Sequence, residues 1–287
     1  MTSELEQAPL PPEGEPPDEP PSGLGDSGPR WPAWYAPGAF VTGILGVFIV
    51  AAVAQVIVAA TGHDFPTSGA GIALGGTLVQ DGLLVGAAIL FASRIAPPRP
   101  WQFGLRATPF RQAVNAALTA YAAFWLFSVV YQLILHPHGK QTVAKDLGAD
   151  NGGLLLVLAA ILVIVIAPAC EEFFFRGFFY KALRSRFTVL AAAVIDGLVF
   201  GAVHYTGSQT LSVLPVLAFL GFVFCMLYER TGSILPGIAL HALNNSISYA
   251  VTVHSSSGVA FALGALMVGA CALAPQVVPA LREPATQ

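Results

Sequence analysis

The 287-residue chain has little charge. Only 10% of its residues are Asp, Glu, Lys or Arg, whereas an ordinary soluble domain has about 25%. Hydrophobic residues make up 55% of the chain, and they form long runs. This pattern excludes an ordinary soluble domain and predicts an all-α polytopic membrane protein. The chain also lacks a basic cluster large enough to form a phosphate-binding face, so no nucleic-acid partner is expected.

The sequence also lacks the cysteine patterns of disulfide-bonded and metal-binding proteins. The three cysteines, Cys170, Cys225 and Cys271, lie in apolar segments and show no CxxC spacing, which argues against a disulfide framework. We interpret them as small buried hydrophobic residues. The sequence contains no HExxH motif either, so the helix that holds zinc in many metalloproteases is absent.

The first 30 residues lack large apolar side chains and are acidic and rich in proline. Such a segment cannot bury enough apolar surface to offset its ordering entropy, so residues 1–30 are predicted to be a disordered tail. It lacks the basic start and apolar core of a signal peptide. Residues 31–287 are predicted to form one membrane domain.

What the chain does contain is a succession of apolar segments of about 20 residues, the length that crosses a bilayer. They predict a bundle of about eight transmembrane helices. The candidates are Ala39–Ala60, Ala70–Ile95, Ala113–Leu135, Leu154–Tyr180, Thr188–His204, Leu211–Tyr228, Ile234–Val253 and Val259–Val278.

The loops between these segments alternate in basic content, and cytoplasmic loops carry the excess of Lys and Arg. The basic residues of the loops after spans two, four and six and of the C-terminus are Arg94, Arg99, Arg106, Arg111, Lys181, Arg184, Arg186, Arg230 and Arg282. Among the alternate loops, only the one after span three is basic, with Lys140 and Lys145 balanced by two aspartates. We therefore expect both termini to be cytoplasmic and the protein to lie in a cell membrane, most simply a bacterial inner membrane.

Two adjacent glutamates interrupt the fourth span. Charged groups near the bilayer centre are costly and usually functional, with partners nearby. Glu171 lies about 16 residues before the turn at Arg186, and His204 lies about 17 residues after it. At 1.5 Å per residue, both are roughly 25 Å from the turn and therefore at matching depth. His241, roughly 16 Å from the same boundary, can reach the same level.

Three short motifs carry these groups: Glu171-Glu172-Phe-Phe-Phe-Arg176, Phe200-Gly-Ala-Val-His204 and His241-Ala-Leu-Asn-Asn245. This set resembles the CPBP family of CAAX prenyl endopeptidases and bacteriocin-processing or immunity proteins, also called the Abi family. The signatures EExxxR, FxxxH and HxxxN appear without substitution and in the family's order. The resemblance covers residues 154–253.

The resemblance implies an intramembrane endopeptidase, a hydrolase acting on a membrane-associated or lipidated peptide. Glu171 would activate water, with His204 beside it, and His241 and Asn245 would complete the catalytic set. Glu172, Arg176 and Phe200 would support it. The i,i+4 spacing of Glu172 and Arg176 independently favours an ion pair.

Two mechanisms remain open from the residues. In the preferred one, no cofactor is required: Glu171 and His204 activate water, and Asn245 with His241 donates hydrogen bonds to the oxyanion. In the other, the family's metalloprotease naming holds, and a divalent ion such as zinc binds Glu171, His204 and His241. Asn is a poor zinc ligand and a good oxyanion donor, which favours the metal-free version.

Two other classes of function compete with the protease: a non-catalytic membrane scaffold or immunity protein, and a proton or solute transporter. The intact motif set argues against a scaffold. The crowding of polar residues into the second half argues against the paired repeats of a transporter. A bacterial membrane location makes a prenylated CAAX tail an uncertain substrate, and we expect the cavity to open to the cytoplasm or laterally to lipid.

Several neighbouring residues have less specific interpretations. We expect Phe173–Phe175, Phe178 and Phe179 to face lipid, and Pro168 to kink or break the fourth span. Asp196 is predicted either to line an entrance or to join helices. Gln80 and Asp81 in the second span have no explanation in the motifs.

Overall fold

A computed structural model describes residues 30–61, 69–136, 143–253 and 257–281. The chain in these ranges forms helices and their connections, without a β-strand. Nearly all of the predicted N-terminal tail, residues 1–29, lies outside the described part.

Eight helices, numbered here α1 to α8, correspond to the eight predicted spans. They are α1 Tyr35–Thr61, α2 Ala70–Ser93, α3 Phe110–Leu135, α4 Gly153–Arg184, α5 Val189–Ala202, α6 Leu214–Thr231, α7 Leu235–Thr252 and α8 Ser257–Val277. A short helix, Val143–Asp146, precedes α4, and a 3-10 turn, Pro100–Phe103, precedes α3.

Six of these helices are long and apolar enough to cross a membrane by themselves: α1, α2, α3, α4, α6 and α8. The fifth, α5, is apolar but has only 14 residues. The protein is therefore an all-α, multi-pass membrane protein, as predicted from its composition. The short α5 matters for the site, because it ends before it can cross a bilayer core of about 30 Å.

Helices α4, α5, α6 and α7 surround the centre of the bundle. α5 packs along α6, α7 packs along α8, and α2 lies against the middle of α4. Phe174, Phe175, Phe178 and Phe179 are buried, so the expectation that this run faces lipid is wrong. The rings pack into a core cluster with α1, α2 and the turn before α3, because α4 is enclosed by neighbouring helices over this length.

The contact between α5 and α6 depends on glycine. A Cβ atom at Gly197 would lie 2.5 Å from the carbonyl oxygen of Ala218 and 2.8 Å from the backbone nitrogen of Phe222. A Cβ at Gly221 would lie 2.9 Å from Cα of Gly197. Small residues let helix backbones approach in membranes, and this approach brings the Gly221 carbonyl to the ion network described below.

The predicted break at Pro168 does not occur, because α4 is continuous over 32 residues. The chain instead widens into a π-helical segment at Leu162–Ile166, one turn before the proline. Proline has no backbone N–H and its ring crowds the preceding turn, and a π-segment is one way in which a helix accommodates an interruption of its hydrogen-bond ladder.

Candidate active site

A cavity of about 230 Å³ lies between α2, α4, α5, α6 and α7. Its wall includes the four residues predicted to be catalytic, Glu171, His204, His241 and Asn245. The hairpin of α4 and α5 thus brings the first two to one cavity, as the depth argument predicted. Their catalytic roles remain predictions.

The side chain of Asn245 bonds a backbone carbonyl that lacks a helical partner because of Pro168. In the widened turn, the backbone N–H of Ala167 bonds to the carbonyl of Leu162, five residues back. The next carbonyl in this pattern, that of Val163, would need an N–H from Pro168, which has none. The side-chain amide of Asn245 donates to that carbonyl instead, at 2.9 Å. One hydrogen of the amide therefore anchors α7 to α4, and the other is available to the cavity.

His204 lies just beyond the C-terminal end of α5. Its Nδ1 is 2.7 Å from the carbonyl oxygen of Phe200. A carbonyl only accepts hydrogen bonds, so Nδ1 carries the hydrogen and donates it. When Nδ1 is the donor, Nε2 is the nitrogen of the ring that faces the cavity without a hydrogen-bond partner of its own in the described residues.

His241 lies between the two glutamates. Its Nδ1 is 3.1 Å from Oε1 of Glu172, and its Nε2 is 3.8 Å from Oε2 of Glu171. Because the same Glu172 oxygen also accepts a hydrogen bond from Arg176, Oε1 is an acceptor and the Nδ1 atom of His241 is the donor. The Nε2 of His241 therefore faces Glu171 across a gap too long for a direct hydrogen bond.

Arg176 forms the centre of a completely buried ion network. Its Nη1 donates to Oε1 of Glu172 at 2.9 Å, which confirms the predicted ion pair. Its Nη2 lies 3.4 Å from Oδ1 of Asp196 and donates to the Gly221 carbonyl at 2.8 Å. The thiol of Cys225 also donates to Oδ1 of Asp196, at 3.2 Å. The network joins α4, α5 and α6 below the cavity.

The aromatic ring of Phe200 packs against both the arginine of this network and the two histidines. The guanidinium carbon of Arg176 lies 4.5 Å from the ring centroid, close enough for a cation–π interaction. The centroids of the His204 and His241 rings lie 4.8 Å and 5.8 Å from it. The phenylalanine of the second motif thus packs against the arginine of the first and the histidines of the second and third.

Sequence reasoning only partly anticipated two carboxylates. For Asp196, the sequence predicts either a residue that lines an entrance or one that joins helices. Its complete burial beside Arg176 shows that it joins helices. Asp81 had no explanation. It is buried, and its electrostatic interaction partners include Glu171 and Cys170. The neighbouring Gln80 lines the cavity. An aspartate in an apolar span was the available signal, but no local spacing linked it to α4.

The cavity reaches the end of the bundle opposite to the basic loops. Its lining there includes Ala144, Leu147, Thr206 and Thr252. The sequence predicts cytoplasmic basic loops and a cavity that opens to the cytoplasm or laterally to lipid, and the side of the membrane stays a prediction. The cavity extends in this direction because α5 is short at this end, whereas the other end is filled by aromatic side chains.

A second, larger cavity of about 460 Å³ lies between α3, α7 and α8. Its wall is mostly apolar and includes none of the predicted site residues. It therefore contributes nothing to the acid–base arrangement around Glu171.

The residues proposed for a metal, Glu171, His204 and His241, are of suitable types for zinc. In the described ranges, however, no three His, Cys, Asp or Glu side chains are arranged so that they could hold one ion. The hydrogen bonds of the two histidines, to the Phe200 carbonyl and to Glu172, leave the Nε2 atom of each ring open. The distances between the three residues as they stand do not fit one metal ion.

Comparison with known proteins gives one family match. Residues 153–247 match the model of a family described as type II CAAX prenyl endopeptidase Rce1-like. The matched segment contains all three motifs. No curated protein and no solved structure matches the chain significantly. Residues 153–247, about a third of the chain, are thus similar to CAAX protease-like membrane proteins, in agreement with the CPBP family that the three motifs resemble.

Proposed function

We propose that the protein is an intramembrane endopeptidase that hydrolyses a peptide bond in a membrane-associated peptide, with Glu171 as the general base. The carrying observation is the contrast between the adjacent glutamates. Glu172 is fully buried, and its Oε1 contacts Arg176 and His241, whereas the side chain of Glu171 lines the cavity and is 18% exposed. Oε2 of each glutamate lacks a hydrogen-bond partner, so access to the cavity distinguishes the two. A carboxyl group at a cavity wall is a candidate for proton transfer.

Water would be held between Glu171 and the histidines. The 3.8 Å separation of Glu171 Oε2 from His241 Nε2 is too long for a direct bond but is consistent with a contact mediated by water. His204 Nε2 provides a second acceptor at the cavity wall. These groups support an activated water, because a general base must lie within hydrogen-bond reach of the proton that it takes.

The hydrolysis then proceeds through one tetrahedral intermediate. The water oxygen attacks the peptide carbonyl carbon, one water proton passes to the Glu171 carboxylate, and the other hydrogen is held by His204 Nε2, which accepts it in a hydrogen bond and can relay the proton. The oxyanion that forms accepts a hydrogen bond from the second amide hydrogen of Asn245. The C–N bond breaks, and Glu171 returns the proton to the leaving amine. No cofactor enters these steps.

The ion network of Arg176 would act through position and not through contact with the peptide. It holds Glu172, and Glu172 in turn orients His241 by accepting from Nδ1. This arrangement keeps the Nε2 atom of His241 directed towards Glu171. Glu172, Arg176 and Phe200 are therefore positioning residues in this proposal.

The test is cleavage of a membrane-anchored reporter peptide of uncharged residues by the purified protein in detergent or lipid. Glu171→Ala and His204→Ala should both lose cleavage, because each removes a proton acceptor. Gln55→Ala is a matched control, since Gln55 is a polar residue on an exposed face of α1, away from the cavity. Cleavage that survives in Glu171→Ala would refute the proposed chemistry. The protein would then be better explained as a scaffold or a transporter.

A further inference from the structure

The two ends of the helix bundle differ in charge. One end, called here the basic end, contains the α2–α3, α4–α5 and α6–α7 connections. The described Lys and Arg residues at this end include Arg94, Arg99, Arg106, Arg111, Lys181, Arg184, Arg186 and Arg230. The other end, called the far end, contains the short helix Val143–Asp146 and the α5–α6 connection. Among its described residues, Lys145 is the only Lys or Arg, and it pairs with Asp150.

The cavity extends from Glu171 to the far end. Val143, Ala144, Leu147, Thr206 and Thr252 form its outer wall. Among the described residues that line it, none belongs to the connections at the basic end. The short α5 explains this opening: at about 1.5 Å per residue, its 14 residues span roughly 21 Å, so His204 lies below the far surface.

The path from Glu171 to the basic end is closed. Large aromatic side chains fill this part of the bundle, and their exposed fractions are 3% or less: Trp31, Phe103, Phe174, Phe175, Phe178, Phe179, Tyr180 and Tyr228. They belong to one contiguous core cluster. The buried Arg176 network lies beside them and completes the barrier.

Hydrogen bonds hold the connections of the basic end against one another. The backbone N–H of Ile234 donates to the Gly104 carbonyl, and the Arg106 side chain donates to the Gly232 carbonyl. Lys181 donates to the Gln102 carbonyl at 2.6 Å. The turn before α3 is thereby tied to α4 and to the α6–α7 connection, so the basic end is a closed surface.

We propose that the catalytic cavity opens on the extracytoplasmic face of the membrane and takes an uncharged peptide segment that a membrane anchor presents on that face. The inference rests on the proposed function for its substrate class. The basic end is the cytoplasmic end by the excess of Lys and Arg in its loops, and the cavity opens at the other one. A soluble cytoplasmic tail therefore has no path to Glu171.

The chemistry of the cavity wall defines the segment it accepts. Hydroxyl groups of Thr77, Thr206 and Thr252 alternate with apolar side chains such as Val143 and Leu147. Glu171 is the one Asp, Glu, Lys or Arg among the described lining residues. A charged side chain of the substrate would lose its hydration here without gaining an ion pair. The extended segment next to the cleaved bond should therefore be apolar or hydroxyl-bearing.

The orientation is tested by labelling cysteines in intact cells with a membrane-impermeant maleimide. Thr206→Cys places a thiol at the mouth, and Ser185→Cys places one in the exposed α4–α5 turn of the basic end. The unsubstituted protein, with Cys170, Cys225 and Cys271, gives the background. We expect labelling of Thr206→Cys in intact cells to exceed that of Ser185→Cys at least ten-fold, and the two to become similar after permeabilisation.

The opposite pattern would overturn the proposal, and so would a mouth thiol that reacts only after permeabilisation. Thr252→Cys, at the end of α7, repeats the measurement should Thr206→Cys accumulate poorly. Labelling needs no catalytic activity. An inactive protein with a reactive mouth would therefore refute the protease chemistry and leave the orientation in place.

The substrate side is tested with two reporter proteins that carry the same uncharged peptide next to one transmembrane anchor. One presents the peptide outside the cell and the other presents it in the cytoplasm. The wild-type protein should cleave the external reporter at least ten-fold faster, and Glu171→Ala should cleave neither. Faster cleavage of the cytoplasmic reporter would contradict the proposal, and cleavage of neither by the wild type would refute the substrate class.

Discussion

Glu171 and Glu172 are adjacent in sequence but lie in opposite surroundings. Glu171 borders the cavity, and its side chain is 18% exposed. Glu172 is fully buried, and its Oε1 is held by Arg176 and His241. Successive residues on a helix point about 100° apart, so one helix turn directs the first carboxylate to the cavity and the second to the packed interior.

The difference separates chemistry from support. A group that exchanges protons with a substrate must reach it, and a charge in the packed interior must be paired. His241 connects the two regions, because one ring nitrogen contacts Glu172 and the other faces Glu171. Substitutions can therefore change the cavity or the packed interior one at a time, and the cleavage rate and the melting temperature show whether the other region is affected.

The largest expected effect on stability comes from Arg176→Met. The change leaves Glu172 and Asp196 buried without their cation, and breaking a buried pair in this way costs about 3–5 kcal/mol. Lys145→Met is the control, because Lys145 pairs with Asp150 at the far end and both side chains are more than half exposed, at 51% and 54%. Such a pair is worth about 0–1 kcal/mol. Unfolding of both variants in one detergent measures the difference, and equal losses would contradict the account.

On the cavity side, His204→Gln should reduce the cleavage rate about 100-fold, the lower range for loss of a proton-transferring group. Glutamine keeps a polar side chain but cannot exchange a proton near neutral pH. The melting temperature should stay close to that of the wild type, since His204 is only half-buried. His136→Gln, at the exposed end of α3, is the control. A full rate in His204→Gln would remove this residue from the mechanism.

Asp81→Asn tests whether the buried acid beside Glu171 belongs to the cavity region. Its Oδ2 has no hydrogen-bond partner, so the carboxyl group costs stability where it stands. We expect a melting temperature equal to or above that of the wild type, together with a change in cleavage rate of about ten-fold, because the charge distribution around Glu171 changes. Asp150→Asn at the exposed far end is the control. Lost stability with an unchanged rate would make Asp81 purely structural.

The smallest expected effect is that of a chelator. The proposed steps use only side chains of the chain, so cleavage should be unchanged after incubation with EDTA and dialysis. The rates before and after treatment, and after addition of zinc, provide the measurement. Loss of cleavage with EDTA and its recovery with zinc would replace the metal-free mechanism by a metal-dependent one.

Much of this architecture was accessible from the sequence. Apolar segments of membrane-spanning length predicted the helices because a bilayer leaves the backbone few alternatives. Counting residues from a shared turn placed Glu171 and His204 at one depth, since helical rise is constant. The i,i+4 spacing of Glu172 and Arg176 predicted their ion pair, which is a property of a single helix.

What could not be predicted depends on contacts between helices. The burial of Phe174 and Phe178 is one case, because an apolar residue in a membrane span suits lipid and protein surroundings equally well. The approach of Asp81 to Glu171 depends on how α2 lies against α4. The direction of the cavity depends on where α5 ends, and the apolar sequence continues past that point.

The most direct test of the central claim compares Glu171→Gln with Glu172→Gln in one preparation, measuring both cleavage rate and melting temperature. We predict that Glu171→Gln retains the wild-type melting temperature and loses cleavage by about 1,000-fold, within the range for general acid–base catalysis. Glu172→Gln should lower the melting temperature, because Arg176 loses its closest charged partner. A Glu171→Gln protein that cleaves at the wild-type rate, or that unfolds as readily as Glu172→Gln, would contradict the division of the two glutamates into chemistry and support.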